Sequence, residues 1–240
     1  MNNNILGYLV LNMYAFLIIL SLLIIFFSKK RLKHFEDLTY GKFLIASVSI
    51  SFTGLLTGIL ISPNLNTPEF VLIIFNKLYL ISLLMWLNYL TLFTLYISIK
   101  NKKRFDKVND IFKFLNIIYV LLIIILPLKT ELVNGNAMPS GLAMLFTSLV
   151  FCLSFLLQII CILFNIKNLL NKKFIPVYIL ITFGSAVVVN QTIHPEMNYL
   201  LNPLFIFIAY VMYHTIENPD VKQLNEIARN NEIVEQTYID

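Results

Sequence analysis

The sequence predicts an all-α membrane protein: a polytopic bundle of seven transmembrane helices followed by a cytoplasmic linker helix. Of the 240 residues, 58% are hydrophobic and only 13% are charged, about half the charge of an average soluble domain. The mean hydropathy is +0.79. The apolar residues also fall in blocks near the roughly 20 that a bilayer crossing requires. Cations gather on alternate connections between those blocks, as in a chain that crosses repeatedly. Regular apolar/polar alternation is missing, which argues against a membrane β-barrel.

The first block, Ile5–Phe27, follows an uncharged Met1-Asn2-Asn3-Asn4 and is too long for the apolar core of a secretory leader, so it reads as a span. The next blocks are Lys42–Ile61, Phe70–Ser98 and Ile111–Leu126. Gly141–Asn165 carries Cys152 and Cys161, whose spacing fits neither a metal knuckle nor a redox pair, so both thiols read as packing groups. Phe174–Val189 contains Pro176 and Gly184-Ser185-Ala186, which allow a kink and close helix approach. Tyr199–Ile216 is the seventh. The fourth and sixth blocks are short and need snorkelling flanks or a thinned bilayer.

Orientation follows from the cations. Lys29, Lys30, Arg31 and Lys33 follow the first span, six more lie from Lys100 to Lys113, and Lys167, Lys172 and Lys173 follow the fifth. The alternate side holds only Lys77, near the outer end of the third block, and Lys129. The positive-inside rule places the N-terminus outside and the C-terminus in the cytoplasm of a multi-pass cell-membrane protein. The pI of about 9.1 is thus a topological signal and does not point to nucleic acid. The outer connections Ser62–Glu69, Pro127–Ser140 and Asn190–Asn198 read as short loops, with no external domain for a large ligand.

Polar residues at membrane depth are the candidate stimulus sites, because an amide there must face protein or a cavity. Asn88 lies mid-span beside Trp86. The last outer connection adds Asn190, Gln191, His194 and Glu196, of which His194 and Glu196 form a candidate pH- or ligand-sensitive pair. His214, at the inner edge, reads as an interfacial side chain. No catalytic, cofactor-binding or metal-ligating set emerges. No acidic residue lies clearly inside a span, which weighs against an ion-coupled pump.

Past the last span, Asn218-Pro219-Asp220 reads as a helix start. Leu224, Ile227, Asn231, Val234 and Tyr238 follow at spacings of 3, 4, 3 and 4, the pattern of a coiled-coil seam in which Asn231 sets the register. Six acids against two cations give Glu217–Asp240 a net charge of −4, which an anionic leaflet repels. The expected division is therefore a transmembrane sensor domain over residues 1–216 and a signalling linker over 217–240.

The run Tyr213, Thr215, Ile216, Glu217, Asn218, Pro219 and Asp220, with Leu224, Asn225 and Ala228 after it, resembles the membrane-exit signature of multi-span sensor histidine kinases of low-GC Gram-positive bacteria. The resemblance implies a signal-input module that relays a stimulus through its last span, homodimerises in the parent protein, and reaches a response regulator through a C-terminal kinase domain. The dimerisation helix with its phosphoacceptor His and the ATP-binding domain of such kinases do not occur in these 240 residues. The expectation is an excised sensor region with no kinase activity of its own. A small transporter or permease subunit is the alternative; internal duplication would favour it, and no convincing repeat is visible.

Overall fold

The computed structural model describes residues 3–29, 35–61, 67–99, 101–133, 136–165, 172–193 and 201–217. Four long helices come first: α1 (Asn3–Ser28), α2 (Phe35–Leu60), α3 (Glu69–Ser98) and α4 (Lys102–Ile125). A hairpin of β1 (Lys129–Val133) and β2 (Asn136–Ser140) leads into α5 (Leu142–Phe164). The next segment is a broken helix: a 3-10 turn at Lys172–Phe174, α6 (Ile175–Ile179), a π-helical turn at Leu180–Gly184, and α7 (Ser185–Ile193). The last element, α8, covers Leu201–Glu217. Helices α1 to α5 are long and apolar enough to cross a membrane, whereas the apolar stretches Ile175–Val187 and Leu201–Ile216 are shorter. Residues 218–240, where the linker helix is expected, lie outside the described residues.

Helix ends and bilayer edges differ for a physical reason. Helix α2 begins at Phe35, not Lys42, and α4 begins at Lys102, not Ile111. Hydropathy marks where hydrocarbon would end, but a helix propagates into water wherever its first turn is satisfied. Glu36 and Asp37 suit the positive end of α2. Asn101 caps α4 by accepting from the Arg104 amide at 3.2 Å.

The hairpin corrects the expectation of a plain loop over Pro127–Ser140. Its strands pair antiparallel from Lys129 with Ser140 to Val133 with Asn136, which leaves Asn134 and Gly135 to connect them. Asn-Gly is the strongest short hairpin signal, one that a hydropathy reading passes over. Gly141 closes the base: its φ is +102°, and a Cβ there would meet the Pro127 carbonyl at 3.0 Å. The same carbonyl accepts from the Ala143 amide at 3.2 Å.

Helix α3 is the axis of the packing. Trp86, Leu87, Leu90 and Phe93 on one face join Phe43 and Ile50 of α2 and Phe205, Ile208 and Met212 of α8 in the largest core. Leu80 and Leu84 join Ile123 of α4, Leu128, and Ala143 and Val150 of α5 in a second. A third, at the end of the bundle where α3 stops and α4 starts, gathers Leu95, Phe105 and Cys161 with Phe35 and Tyr96 around them. The outward surface is apolar too: Phe114, Leu145 and Phe164 are all exposed, the composition a lipid-facing surface requires. Cys152 is on that surface while Cys161 is buried.

The break in the sixth segment falls where the sequence allows it. Pro176 sits in the first turn of α6, where its missing N–H costs nothing. The π-helical turn ends on Gly184, which faces Leu204 of α8. A Cβ there would make an ordinary contact with Leu204 Cδ2 at 3.9 Å and a tighter one, 3.3 Å, with Leu180 Cδ1 of the same turn.

Candidate functional site

Serine and threonine hydroxyls inside the apolar helices are satisfied locally, by the carbonyl one turn back. Ser47 donates to Phe43 O at 2.9 Å, Thr91 to Leu87 O at 2.9 Å, and Thr147 to Ala143 O at 2.8 Å. Such groups need no neighbouring helix. Side-chain amides have too many donors and acceptors for this arrangement, so they mark where helices are tied together.

Among the described residues, three side-chain amide ties involve α3, beside a bond from Lys77 Nζ to Ile124 O of α4. Asn88 Nδ2 donates to Asn116 Oδ1 of α4. Gln158 Nε2 of α5 donates to Thr91 Oγ1 at 2.9 Å. Toward the hairpin, Asn76 Nδ2 donates to Thr130 Oγ1 at 3.0 Å. Asn88 is thus interior, as its depth requires, and 2% exposed. Trp86 is two residues away, about 200° around the helix, and packs in the other core. Its ring centroid is 5.1 Å from Phe43 and 4.7 Å from Phe205. The two candidates therefore do not share a site.

A second set of ties holds α8. At one end, Asn202 Nδ2 donates to Asn12 Oδ1 of α1. Midway along, the Tyr40 hydroxyl of α2 donates to Ala209 O at 2.8 Å. One turn further, Lys29 Nζ donates to the Tyr213 hydroxyl at 2.8 Å and lies 5.3 Å from that ring's centroid. Glu36, four residues before Tyr40 and on the same face of α2, accepts from Lys173 Nζ at 2.6 Å. Both side chains of that ion pair are largely shielded, 11% and 17% exposed. The first two turns of α2 thus grip α8 and the start of the broken helix together. Among the described residues, four buried polar atoms have no hydrogen-bond partner: Trp86 Nε1, Asn12 Nδ2, Asn202 Oδ1 and Gln158 Oε1.

The remaining candidates lie elsewhere. Asn190 is on α7, half-buried, at the edge of a shallow hollow of about 430 Å³ shared with Thr182, Ser185, Ala186 and Val189. Helix α7 continues through Gln191 to Ile193, so the expected outer loop Asn190–Asn198 begins as helix. The apolar run Ser185–Val189 propagates past its hydrophobic end, as α2 and α4 do. His194 and Glu196 lie outside the described residues, as do Asn218, Pro219, Asp220, Leu224, Ile227, Asn231 and Val234 of the linker. Glu217 is the last residue of α8. His214 is exposed, its ring edge-on to Tyr210 at 4.5 Å.

Sequence reasoning missed Asn12, Asn116, Gln158 and Asn202. One signal was available for Gln158: Ala143, Thr147, Val150, Ser154, Gln158 and Cys161, all buried on α5, repeat at helical spacing as a stripe of small and polar residues inside an otherwise Leu- and Phe-rich helix. No protein-family model matches this chain, and no curated protein aligns with it. The arrangement itself offers hydrogen bonds that fix helix positions. Among the described residues, no three His, Cys, Asp or Glu side chains converge to hold a metal.

Proposed function

We propose that the chain is the membrane signal-input part of a two-component sensor histidine kinase. In this reading seven helices cross the membrane, with the N-terminus outside, and α8 relays the stimulus to a C-terminal kinase and, through it, to a response regulator. The observation that carries the reading is that α8 is tied at both ends. Asn12 holds its first turn, Tyr40 its middle, and Lys29 holds Tyr213 near its end, where the segment that resembles a kinase membrane exit begins. A stimulus that favours one position of α1 against α8 would alter the far end of the same rigid helix. The shift requires only that the stimulus bind the two arrangements unequally. Homodimerisation through Leu224, Ile227, Asn231 and Val234 would carry it onward.

The test fuses residues 1–240 in frame to a histidine kinase core and measures autophosphorylation in membranes. Asn202→Leu and Lys29→Met are each expected to change it about fivefold or more, with protein abundance unchanged. Lys113→Gln, remote from α8, is expected to leave it unaltered. Equal phosphorylation across all variants overturns the reading. A transporter subunit, the second reading, draws on the amide ties Asn88–Asn116 and Thr91–Gln158 inside the α3–α4–α5 lobe. Solute flux lost in Asn88→Leu, with phosphorylation unmoved by the α8 variants, would favour it.

A further inference from the structure

Helix α4 is unlike its neighbours in how little of it is covered: only 6% of its membrane-length window is buried. What covers it at its start is narrow. Phe105, Val108 and Phe112 pack against Leu95, Cys161 and their neighbours, and these three residues share one face of the helix. The adjoining, outward face carries a different sequence. Lys103, Arg104 and Lys107 are exposed there, followed by Ile111, Phe114 and Leu121 at 58%, 64% and 52% exposure. At about 100° per residue these six side chains fall within roughly a third of the helix circumference. They form a single stripe that is cationic for one turn and apolar for the next three.

The dimensions fit one kind of partner. From Ile111 to Leu121 the helix rises about 15 Å, the depth of one hydrocarbon leaflet in a bilayer core of about 30 Å. The cations lie just beyond that length, at headgroup level. The start of the helix has charge to spare: Lys102, Lys103, Arg104, Lys107 and Lys113 stand against Asp106 and Asp110, five cations against two acids. Asp110 is already engaged by Lys113 at 2.8 Å, off the stripe.

We infer that this stripe is a docking site for an anionic phospholipid. The lipid phosphate sits among Lys103, Arg104 and Lys107, and an acyl chain runs along Ile111, Phe114 and Leu121. Arginine beside lysine suits the task, because its planar fork can take two phosphate oxygens while the lysines contribute point charges. A zwitterionic lipid would find the same apolar track but lose the electrostatic attraction. Diffuse attraction of a basic surface to a membrane makes a different prediction, since it would not distinguish Lys107 from Lys113.

The test titrates the full chain, in a nonionic detergent at low salt, with phosphatidylglycerol or phosphatidylcholine and counts bound lipids by native mass spectrometry. Phosphatidylglycerol is expected to bind on the order of 100-fold more tightly, roughly fivefold for each cation. The variant K103Q/R104Q/K107Q is expected to bind both lipids alike, and Lys107→Gln alone to lose about fivefold. Lys113→Gln is expected to keep the full preference. The proposal is overturned if the unaltered protein binds the two lipids equally or if the triple variant keeps its preference. It is also overturned if Lys113→Gln costs as much as Lys107→Gln. Should the triple variant fail to fold, the comparison of Lys107→Gln with Lys113→Gln decides alone.

Discussion

Helix α3 separates two lobes that are held together in different ways. On the side of α1, α2 and α8, large rings interlock: Tyr40, Phe43, Trp86 and Phe205 are all buried, and 56% of the membrane-length window of α2 is covered. On the side of α4 and α5 the corresponding figure for α4 is 6%. There the helices meet through the core of Leu80, Leu84, Ile123 and Val150, together with Asn88–Asn116, Gln158–Thr91 and a bond from Lys77 Nζ to Ile124 O. In lipid no hydrophobic force drives two helices together, so close packing and hydrogen bonds between helices are what remain. The first lobe relies mainly on packing, supplemented by bonds at its ends. In the second, so little of α4 is covered that bonds carry a larger share of its attachment, which leaves it the long helix most open to lipid.

The sharpest way to break this comparison is to remove the central ring of the first lobe. Trp86→Ala leaves a cavity between Phe43 and Phe205, and a loss of about 3–5 kcal/mol is expected. Thermal unfolding in detergent micelles checks it. A loss below 1 kcal/mol would mean that packing does not hold this lobe. Next in size is the ion pair at the grip of α2. Glu36→Gln removes the carboxylate to which the shielded Lys173 donates, and the expected cost is about 2 kcal/mol. That is less than for a fully buried pair, because both side chains keep some exposure to water. Exchanging the two charges, E36K with K173E, should recover part of the loss in the same unfolding measurement. No recovery would show that the geometry at this site matters more than the charge.

The features that the sequence made legible are those that depend on local composition. The spans of α1, α3 and α5 were visible because length and hydropathy suffice to define them. The interior position of Asn88 followed from depth alone, since lipid cannot satisfy an amide. The partners of that amide were not legible. Asn116 lies in the fourth span and Asn12 in the first, and nothing in either stretch states how the helices are rotated against each other. The same limit hid the separation of Trp86 from Asn88, which are neighbours in sequence but belong to opposite lobes. The hairpin was legible in principle from Asn134-Gly135 between two five-residue runs. It is lost when the connection between two spans is read only for charge and length.

On the second lobe, Asn88→Leu removes one of two side-chain bonds from α3 to α4 among the described residues, the other being Lys77 Nζ to Ile124 O, and takes the donor from the half-buried Asn116 Oδ1. About 1 kcal/mol is expected, within the range of such bonds in membrane helices, and the effect should be local. Amide hydrogen exchange in α4 should quicken, while exchange in α1 and α2 stays as it was. Uniform quickening would mean that the two lobes are one cooperative unit and the division at α3 is only geometric.

The smallest effect is expected one turn along, at Gln158. Its Nε2 donates to Thr91 Oγ1 at 2.9 Å, so Gln158→Met would at first seem equivalent to the loss of Asn88. The surroundings differ in two respects. Thr91 already donates its own proton to Leu87 O at 2.9 Å, so losing Gln158 deprives it only of a donor to one of its lone pairs. Gln158 Oε1, in contrast, is buried with no partner among the described residues, and an unsatisfied acceptor costs about 1–3 kcal/mol that methionine would relieve. The lost bond contributes about 1 kcal/mol, which relief of the acceptor matches at the low end of its range or exceeds, so no net destabilisation is expected. Methionine also fills nearly the same volume, so no cavity opens. If Gln158→Met instead destabilises as much as Asn88→Leu, then Oε1 is satisfied in the membrane by a water or a polar ligand. The second lobe would then contain a solvated site between α3 and α5, in place of a pair of simple ties.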